Sequence, residues 1–180
     1  MAPMNRRDCQ PTSRRAWLVR SLALGAVAAL GLSSTSCLAL AAGVHDTEID
    51  FLVAQAPNNS FFGWTEITID GDVSQANSAT LQAVTLDVQT PEGTPDLSFL
   101  QSVTGELVLD EKRAVAVVGD SFPRNEQAVV LKVKFADDIR PFFKNGNTLR
   151  VEWNGKTNPA FTKWPADGFM VRGRIKVDIE

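Results

Sequence analysis

The sequence predicts an all-β protein: an antiparallel β-sandwich of about seven or eight strands with one or two short helical turns. Two observations favour this class. Short segments in which apolar and polar residues alternate recur along the chain, and turn signals rich in glycine, proline and asparagine separate them. No long helix is indicated between these segments. A β-barrel is the alternative architecture.

The first three strands are predicted in residues 47–53, 64–69 and 81–90. In the first of them, apolar residues alternate with Glu48 and Asp50, which indicates one buried face. The second segment is β-branched and ends in an Asp-Gly turn. A Pro-Glu-Gly sequence closes the third.

The middle of the chain continues this pattern with a helical turn and three strands. Residues 96–100 are short and apolar and begin with aspartate, which predicts a helical turn with an N-cap. Residues 103–109 and 114–118 flank a charged tetrapeptide, and this arrangement indicates a hairpin. Residues 129–135 are predicted as one strand whose odd-numbered positions face the core.

The last third of the chain contributes one more helical turn and two strands. A turn is predicted in residues 136–144, where Pro141 limits the helix because proline lacks the backbone donor. An Asn-Gly turn then leads into a strand at residues 149–153. The last strand, residues 169–180, has one apolar face and one face that is nearly all charged.

Length and charge restrict the class of protein. A chain of 180 residues is expected to form one domain. Five of the 18 basic residues and one of the 21 acidic residues precede Gly43, so residues 43–180 carry 13 basic and 20 acidic side chains. The resulting charge of −7 repels nucleic acid, which we therefore exclude as a partner.

The N-terminal segment carries an arginine pair, followed by an uncharged run at residues 22–32. That run has the length of a signal-peptide core and is too short for a membrane span of about 20 residues. The segment resembles the twin-arginine export signal, and the resemblance implies that the export machinery of that route recognises this chain. The residues that carry the resemblance are Ser13, Arg14, Arg15, Trp17 and Leu18.

Two ways of processing this segment remain open. Small residues at Ala39 and Ala41 predict cleavage before residue 42, which gives a signal of residues 1–41 and a single β-sandwich domain of residues 42–180. Alternatively, the sequence Ser-Thr-Ser-Cys ending at Cys37 resembles a lipoprotein box, and the signal is then residues 1–36. The exported protein is accordingly periplasmic, or a lipoprotein tethered to a membrane by lipid. A retained N-terminal anchor is a third alternative.

Residue types that support catalysis or metal binding are scarce. The domain holds no cysteine after Cys37, which excludes disulfides and thiolate metal sites from it. The one histidine, His45, lies near the expected mature N-terminus, a poor position for a preorganised base. Asp46, Glu48 and Asp50 share one strand face, but His45 points to the other, so we interpret them as a solvated face. No cofactor and no metal is expected.

Aromatic residues provide the best functional lead. They cluster at residues 61–64 and 161–164, and a further tryptophan lies in the strand at 149–153. Exposed rings stack on sugars or anchor protein partners, whereas the interpretation we favour is that these rings close the ends of the core. The candidate ligand-binding aromatics are Phe61, Phe62, Trp64, Trp153, Phe161 and Trp164.

The domain also resembles, as a whole, a group of exported, often lipoprotein-type β domains of Gram-negative bacteria. The resemblance rests on residues 84–88, the turn at 91–93, residues 96–100 and the closing strand. That group has no established activity, so the resemblance implies a fold and a location but no site residue.

The expected function is that of a non-enzymatic envelope domain that binds or supports an unknown protein or glycan partner. Two alternatives remain. A carbohydrate-binding module requires exposed, roughly coplanar tryptophan rings. A carboxylate-based hydrolase requires a cleft with two facing acids, at least one with a raised pKa.

Overall fold

A computed structural model describes residues 42–89 and 96–180 and confirms the antiparallel β-sandwich. The signal segment and the turn at residues 91–93 lie outside the described residues. The strands are β1 (Gly43–Val53), β2 (Ser60–Thr68), β3 (Ala79–Gln89), β4 (Leu100–Leu109), β5 (Lys112–Gly119), β6 (Ala128–Val130), β7 (Lys132–Val133), β8 (Phe143–Lys144), β9 (Thr148–Thr157) and β10 (Phe169–Ile179).

These strands form two open antiparallel sheets. The four-stranded sheet has the order β1-β10-β3-β6. The six-stranded sheet has the order β2-β9-β4-β5-β7, and the short β8 pairs with β9. Among the described residues neither sheet closes on itself, so the barrel alternative was wrong.

Both predicted helical turns are present as single 3-10 turns. The first is Leu97–Phe99, and the carboxylate of Asp96 caps it by accepting a hydrogen bond of 2.9 Å from the Ser98 backbone N–H. The second is Arg140–Phe142, with Pro141 inside it. A third 3-10 turn, Val73–Gln75, lies between β2 and β3, where no helical turn was predicted.

The prediction of one strand over residues 129–135 was wrong. The segment crosses from one sheet to the other: β6 pairs with β3, whereas β7 pairs with β5. Leu131 is buried at the crossing, and its backbone N–H donates to the Val84 carbonyl at 2.8 Å. Leu131 still points inward and Lys132 outward, as the alternation predicts. Alternation decides whether a side chain points to the core or to solvent, and it does so whichever sheet the strand pairs with.

The core lies between the two sheets and ends in an aromatic cluster. Phe99 stacks on Phe169 with ring centroids 4.2 Å apart. Phe161 and Trp164 pack edge-on against Phe99 and cover this end of the core. These contacts agree with the interpretation that the second aromatic cluster closes the sandwich.

The outer face of the four-stranded sheet is a ladder of cross-strand ion pairs. Glu48 pairs with Arg174 at 3.4 Å and with Arg172 at 3.2 Å, and Asp46 pairs with Lys176 at 3.6 Å. The basic face of β10 thus balances the acidic face of β1. In the described part of the chain, no helix is long and apolar enough to cross a membrane.

Candidate functional site

One side of the sandwich presents two long strand edges. β1, of 11 residues, and β2, of 9 residues, are the edge strands of their sheets and contact each other on this side. On the other side the edges are β6 and β7, of 3 and 2 residues, and the crossing chain joins them. Alternate residues of an edge strand direct N–H and C=O groups away from the sheet. The β1–β2 side is therefore the side on which main-chain groups face outward over a long distance.

Four large apolar side chains gather along this side. The exposed fraction is 47% for Leu52, 62% for Phe62, 53% for Trp64 and 40% for Met170. Leu52 and Met170 face each other across β1 and β10, while Phe62 and Trp64 project from the outer face of β2. All four line a groove of about 500 Å³ between the two edges. We call these four residues the edge patch.

The small size of Gly63 contributes to the open groove. Gly63 lies between Phe62 and Trp64, and a Cβ added to it meets only the Phe51 Cβ, at 3.8 Å. That distance is ordinary van der Waals contact, so there is space for a side chain that this sequence does not supply.

Trp64 is braced from the neighbouring strand. The guanidinium carbon of Arg150 lies 4.8 Å from the centroid of the Trp64 ring, a cation–π contact. Arg150 in turn donates from Nη2 to Glu152 Oε1 at 2.9 Å. Glu152 is buried and holds the Arg150 guanidinium through this hydrogen bond, and the guanidinium in turn supports one face of the indole.

The bracing network continues across the six-stranded sheet. Arg113 donates to the second oxygen of Glu152 and, from Nη1, to Glu106 Oε2 at 2.9 Å. Both oxygens of the buried carboxylate are thus engaged by guanidinium groups. Sequence reasoning missed this network, since it depends on the strand register that places Arg150, Glu152 and Glu106 side by side.

A second, charged cavity of about 360 Å³ adjoins this network. It presents equal numbers of acidic and basic side chains, so its walls offer both hydrogen-bond acceptors and donors. The charged residues that line it are Glu66, Asp110, Arg113, Lys144, Arg150 and Glu152.

The carboxyl groups whose pKa values clearly shift among the described residues all shift downward. Hydrogen bonds from Ser74 lower the pKa of Asp72, and the Arg140 guanidinium lowers that of Asp138. Burial raises the pKa of Asp96, but hydrogen bonds from Ser98 and Asn125 outweigh it. These three carboxylates are ionised hydrogen-bond acceptors in turns, away from the charged cavity.

The structure separates the predicted aromatics into two groups. Phe62 and Trp64 are exposed in the edge patch, whereas Phe61 is buried beneath them in the floor of the groove. Trp153 is fully buried, because the alternation along β9 turns it into the core, so its ring does not reach a ligand. Phe161 and Trp164 are half-buried against the core.

Two residues of the edge patch were missed from the sequence. Leu52 and Met170 stand at outward positions of strands whose other outward positions are mostly charged. An apolar residue in an otherwise charged strand face is visible in the sequence. The sequence alone, however, does not show that Leu52 and Met170 lie next to each other.

No three histidine, cysteine, aspartate or glutamate side chains come together as a metal-binding group within the residues described. Comparisons of the chain with protein-family models, with curated proteins and with solved structures found no match. The fold and the site define a β-sandwich with one open, aromatic edge.

Proposed function

We propose that this chain is an exported, non-enzymatic binding protein of the cell envelope whose binding surface is the edge patch. The observation that carries the proposal is the contiguity of Leu52, Phe62, Trp64 and Met170 around one groove. Single exposed apolar residues are ordinary on protein surfaces, but a contiguous group at a groove is characteristic of interaction sites. The export part of the proposal rests on Arg14 and Arg15, which lie outside the described residues.

The contacts of Glu152 support a structural role for this carboxylate within the proposed binding surface. Glu152, the buried carboxylate beside the charged cavity, has both oxygens occupied by Arg113 and Arg150. It is therefore arranged as a structural anchor of the Trp64 brace.

Site-specific photo-crosslinking in the producing cell tests the proposal. A benzoyl-phenylalanine replaces Phe62 in the full-length chain, and the matched control replaces Val130, which is 70% exposed on the opposite side of the sandwich. We expect a discrete cross-linked product from position 62 that is absent from position 130. Equal labelling at both positions, or no product at either, would refute the edge patch as a binding surface.

A carbohydrate ligand is the second candidate, and one observation favours it. Trp64 offers a half-exposed, braced ring at the same sheet face as the charged cavity, and sugars combine apolar ring faces with hydroxyl groups. Affinity electrophoresis against soluble polysaccharides tests it: a retardation that Trp64→Ala removes and Phe62→Ala preserves supports this candidate. Migration unchanged by every polysaccharide counts against it.

A further inference from the structure

We infer that the partner bound at the edge patch is a second copy of this chain, and that the two copies pair their β2 strands antiparallel into one continuous sheet. The inference rests on the proposed function, because it names the partner of the same surface. Three properties of β2 lead to it.

The first property is that β2 is a long and regular edge. Its register against β9 runs unbroken from Ser60 opposite Lys156 to Thr68 opposite Thr148. Natural edge strands are usually protected from pairing by proline, a bulge, or several charged residues. β2 contains no proline, follows an unbroken register and carries one charged residue, Glu66.

The second property is that the strand is complementary to itself about Gly63. In an antiparallel pair centred there, Phe62 of each copy lies directly opposite Trp64 of the other, on the same face of the sheet. Two cross-strand aromatic pairs result, a favourable combination in antiparallel sheets. The same register places Glu66 opposite Ser60, so no two like charges meet.

The third property is the contrast with the neighbouring edge. β1 carries Asp46, Glu48 and Asp50 on its outer face. Pairing β1 with itself about Glu48 sets carboxylates opposite carboxylates, which is less favourable than the aromatic pairs of β2 even though basic residues of β10 already form ion pairs with these carboxylates. Of the two long edges, β2 is therefore the one suited to a second copy.

The overall charge opposes association without preventing it. Each domain carries a formal charge of −7 from residue 43 onward, so two copies repel each other at low ionic strength. Salt screens this repulsion over a Debye length of about 10 Å at 0.1 M. Raising the salt concentration from about 20 mM to 200 mM should therefore tighten the dimer, whereas an association made by ion pairs would weaken.

Sedimentation equilibrium of the exported, processed protein tests the assembly. Mass spectrometry of the same preparation gives the mass of one chain, and we expect sedimentation to give twice that mass. Phe62→Glu places a carboxylate opposite the Trp64 ring of the second copy and should return the protein to the single-chain mass. Val130→Glu, a matched change on the opposite side, should leave the doubled mass unchanged, and circular dichroism verifies that both variants fold.

A cysteine at the centre of the pairing tests the register. Residues 38–180 contain no cysteine, so Gly63→Cys introduces the only thiol of the domain. Directly opposite residues in antiparallel strands have Cβ atoms about 4.5–5.5 Å apart, within reach of a disulfide after small adjustments. We expect oxidation to link two copies through this cysteine and not through Val130→Cys. A dimer that Gly63→Cys does not link would overturn the proposed register.

The outcomes separate this inference from the function on which it rests. Suppose that sedimentation gives a single-chain mass at every concentration up to about 100 µM, and that position 62 gives a cross-linked product whose mass differs from that of two copies. This result overturns the second copy as partner and leaves the binding function intact. A single-chain mass with no product at position 62 overturns both.

Discussion

The ring of Trp153 lies flat against the ring of Phe51, with centroids 4.9 Å apart and planes 5° from parallel. Trp153 belongs to β9 and Phe51 to β1, so this contact joins the two sheets through the middle of the core. Trp153 is fully buried, and its Nε1 donates to Thr65 Oγ1 at 3.0 Å. Phe51 also lines the groove of the edge patch, so this stacked pair lies directly beneath the patch.

Removing the Trp153 ring should destabilise the fold strongly. We expect Trp153→Ala to lower the free energy of unfolding by about 3–5 kcal/mol, because it deletes a buried ring and leaves a cavity. Val130→Ala, at an exposed side chain outside the edge patch, should cost less than about 1 kcal/mol. Urea denaturation of both variants at one protein concentration measures the difference. Equal losses would mean that Trp153 does not hold the sheets together as described.

Strand alternation was sufficient to predict the fold class, and it also fixed which residues face inward. Leu149, Val151 and Trp153 alternate along β9 and are all buried. The crossing at Leu131 was not predictable, because alternation specifies a face and contains no information on the pairing partner. The capped turn after Asp96 was predictable because its signal is local.

Close packing against Trp153 should make Gly105 intolerant of a side chain. A Cβ at Gly105 would lie 2.8 Å from Trp153 Cζ3 and 2.8 Å from Val117 Cγ2, so we expect Gly105→Ala to cost about 1–3 kcal/mol. Gly63→Ala is the matched control, since its Cβ has ordinary contact distances, and it should be near neutral. Thermal unfolding of the pair measures this. If Gly105→Ala is as stable as its control, β4 can shift to accommodate the added methyl group, which would contradict the close packing described.

Asp138 should make the stability of the domain depend on acid pH. Its carboxylate accepts hydrogen bonds from Arg140 Nε at 2.7 Å and from the Ala79 backbone N–H at 3.2 Å, and so ties the turn at Arg140 to the start of β3. These contacts lower its pKa in the folded state, with the Arg140 hydrogen bond the largest cause. The stabilisation is therefore present above the unfolded pKa of about 3.9 and is lost as pH falls through the lower, folded value.

Comparison of the wild type with Asp138→Asn across pH isolates this contribution. We expect a difference of at most about 1 kcal/mol near pH 6, because the side chain is partly exposed and solvent screens the interaction. The difference should shrink below about pH 4 and vanish below the folded pKa. Asp72 and Asp96 remain in both proteins, so their own titration cancels. A difference that grows as the pH falls would contradict the assigned sign.

The candidate site was less predictable than the fold. Phe62 and Trp64 were identified from the sequence as candidates, yet the brace by Arg150 comes from a residue 86 positions away in sequence from Trp64. Such a neighbour is set by the register of β2 against β9, and a shift of one residue would have turned both rings inward. Exposure of these rings is thus a property of the paired sheet.

The proposed export route makes a prediction for which the chain contains its own control, a second arginine pair. Arg14 and Arg15 stand directly before the Ala-Trp-Leu sequence of the signal, whereas a second arginine pair, Arg6 and Arg7, is followed by Asp-Cys. If Arg14 and Arg15 are the recognised pair, changing both of them to lysine should leave the full-length chain in the cytoplasm. The same change at Arg6 and Arg7 keeps the charge of the segment and leaves Arg14 and Arg15 in place, so it should leave export intact.

Intact-mass measurement of the soluble and membrane fractions checks this prediction and the processing site together. A soluble product that starts at Ala42 corresponds to cleavage after Ala41, and a membrane-bound product that starts at Cys37 with added acyl mass corresponds to lipidation. Whichever product is found should disappear when Arg14 and Arg15 are changed to lysine, and it should persist when Arg6 and Arg7 are changed to lysine instead. Undiminished export of the Arg14, Arg15 variant would mean that the signal belongs to another route, since conservation of charge alone would then be sufficient for recognition.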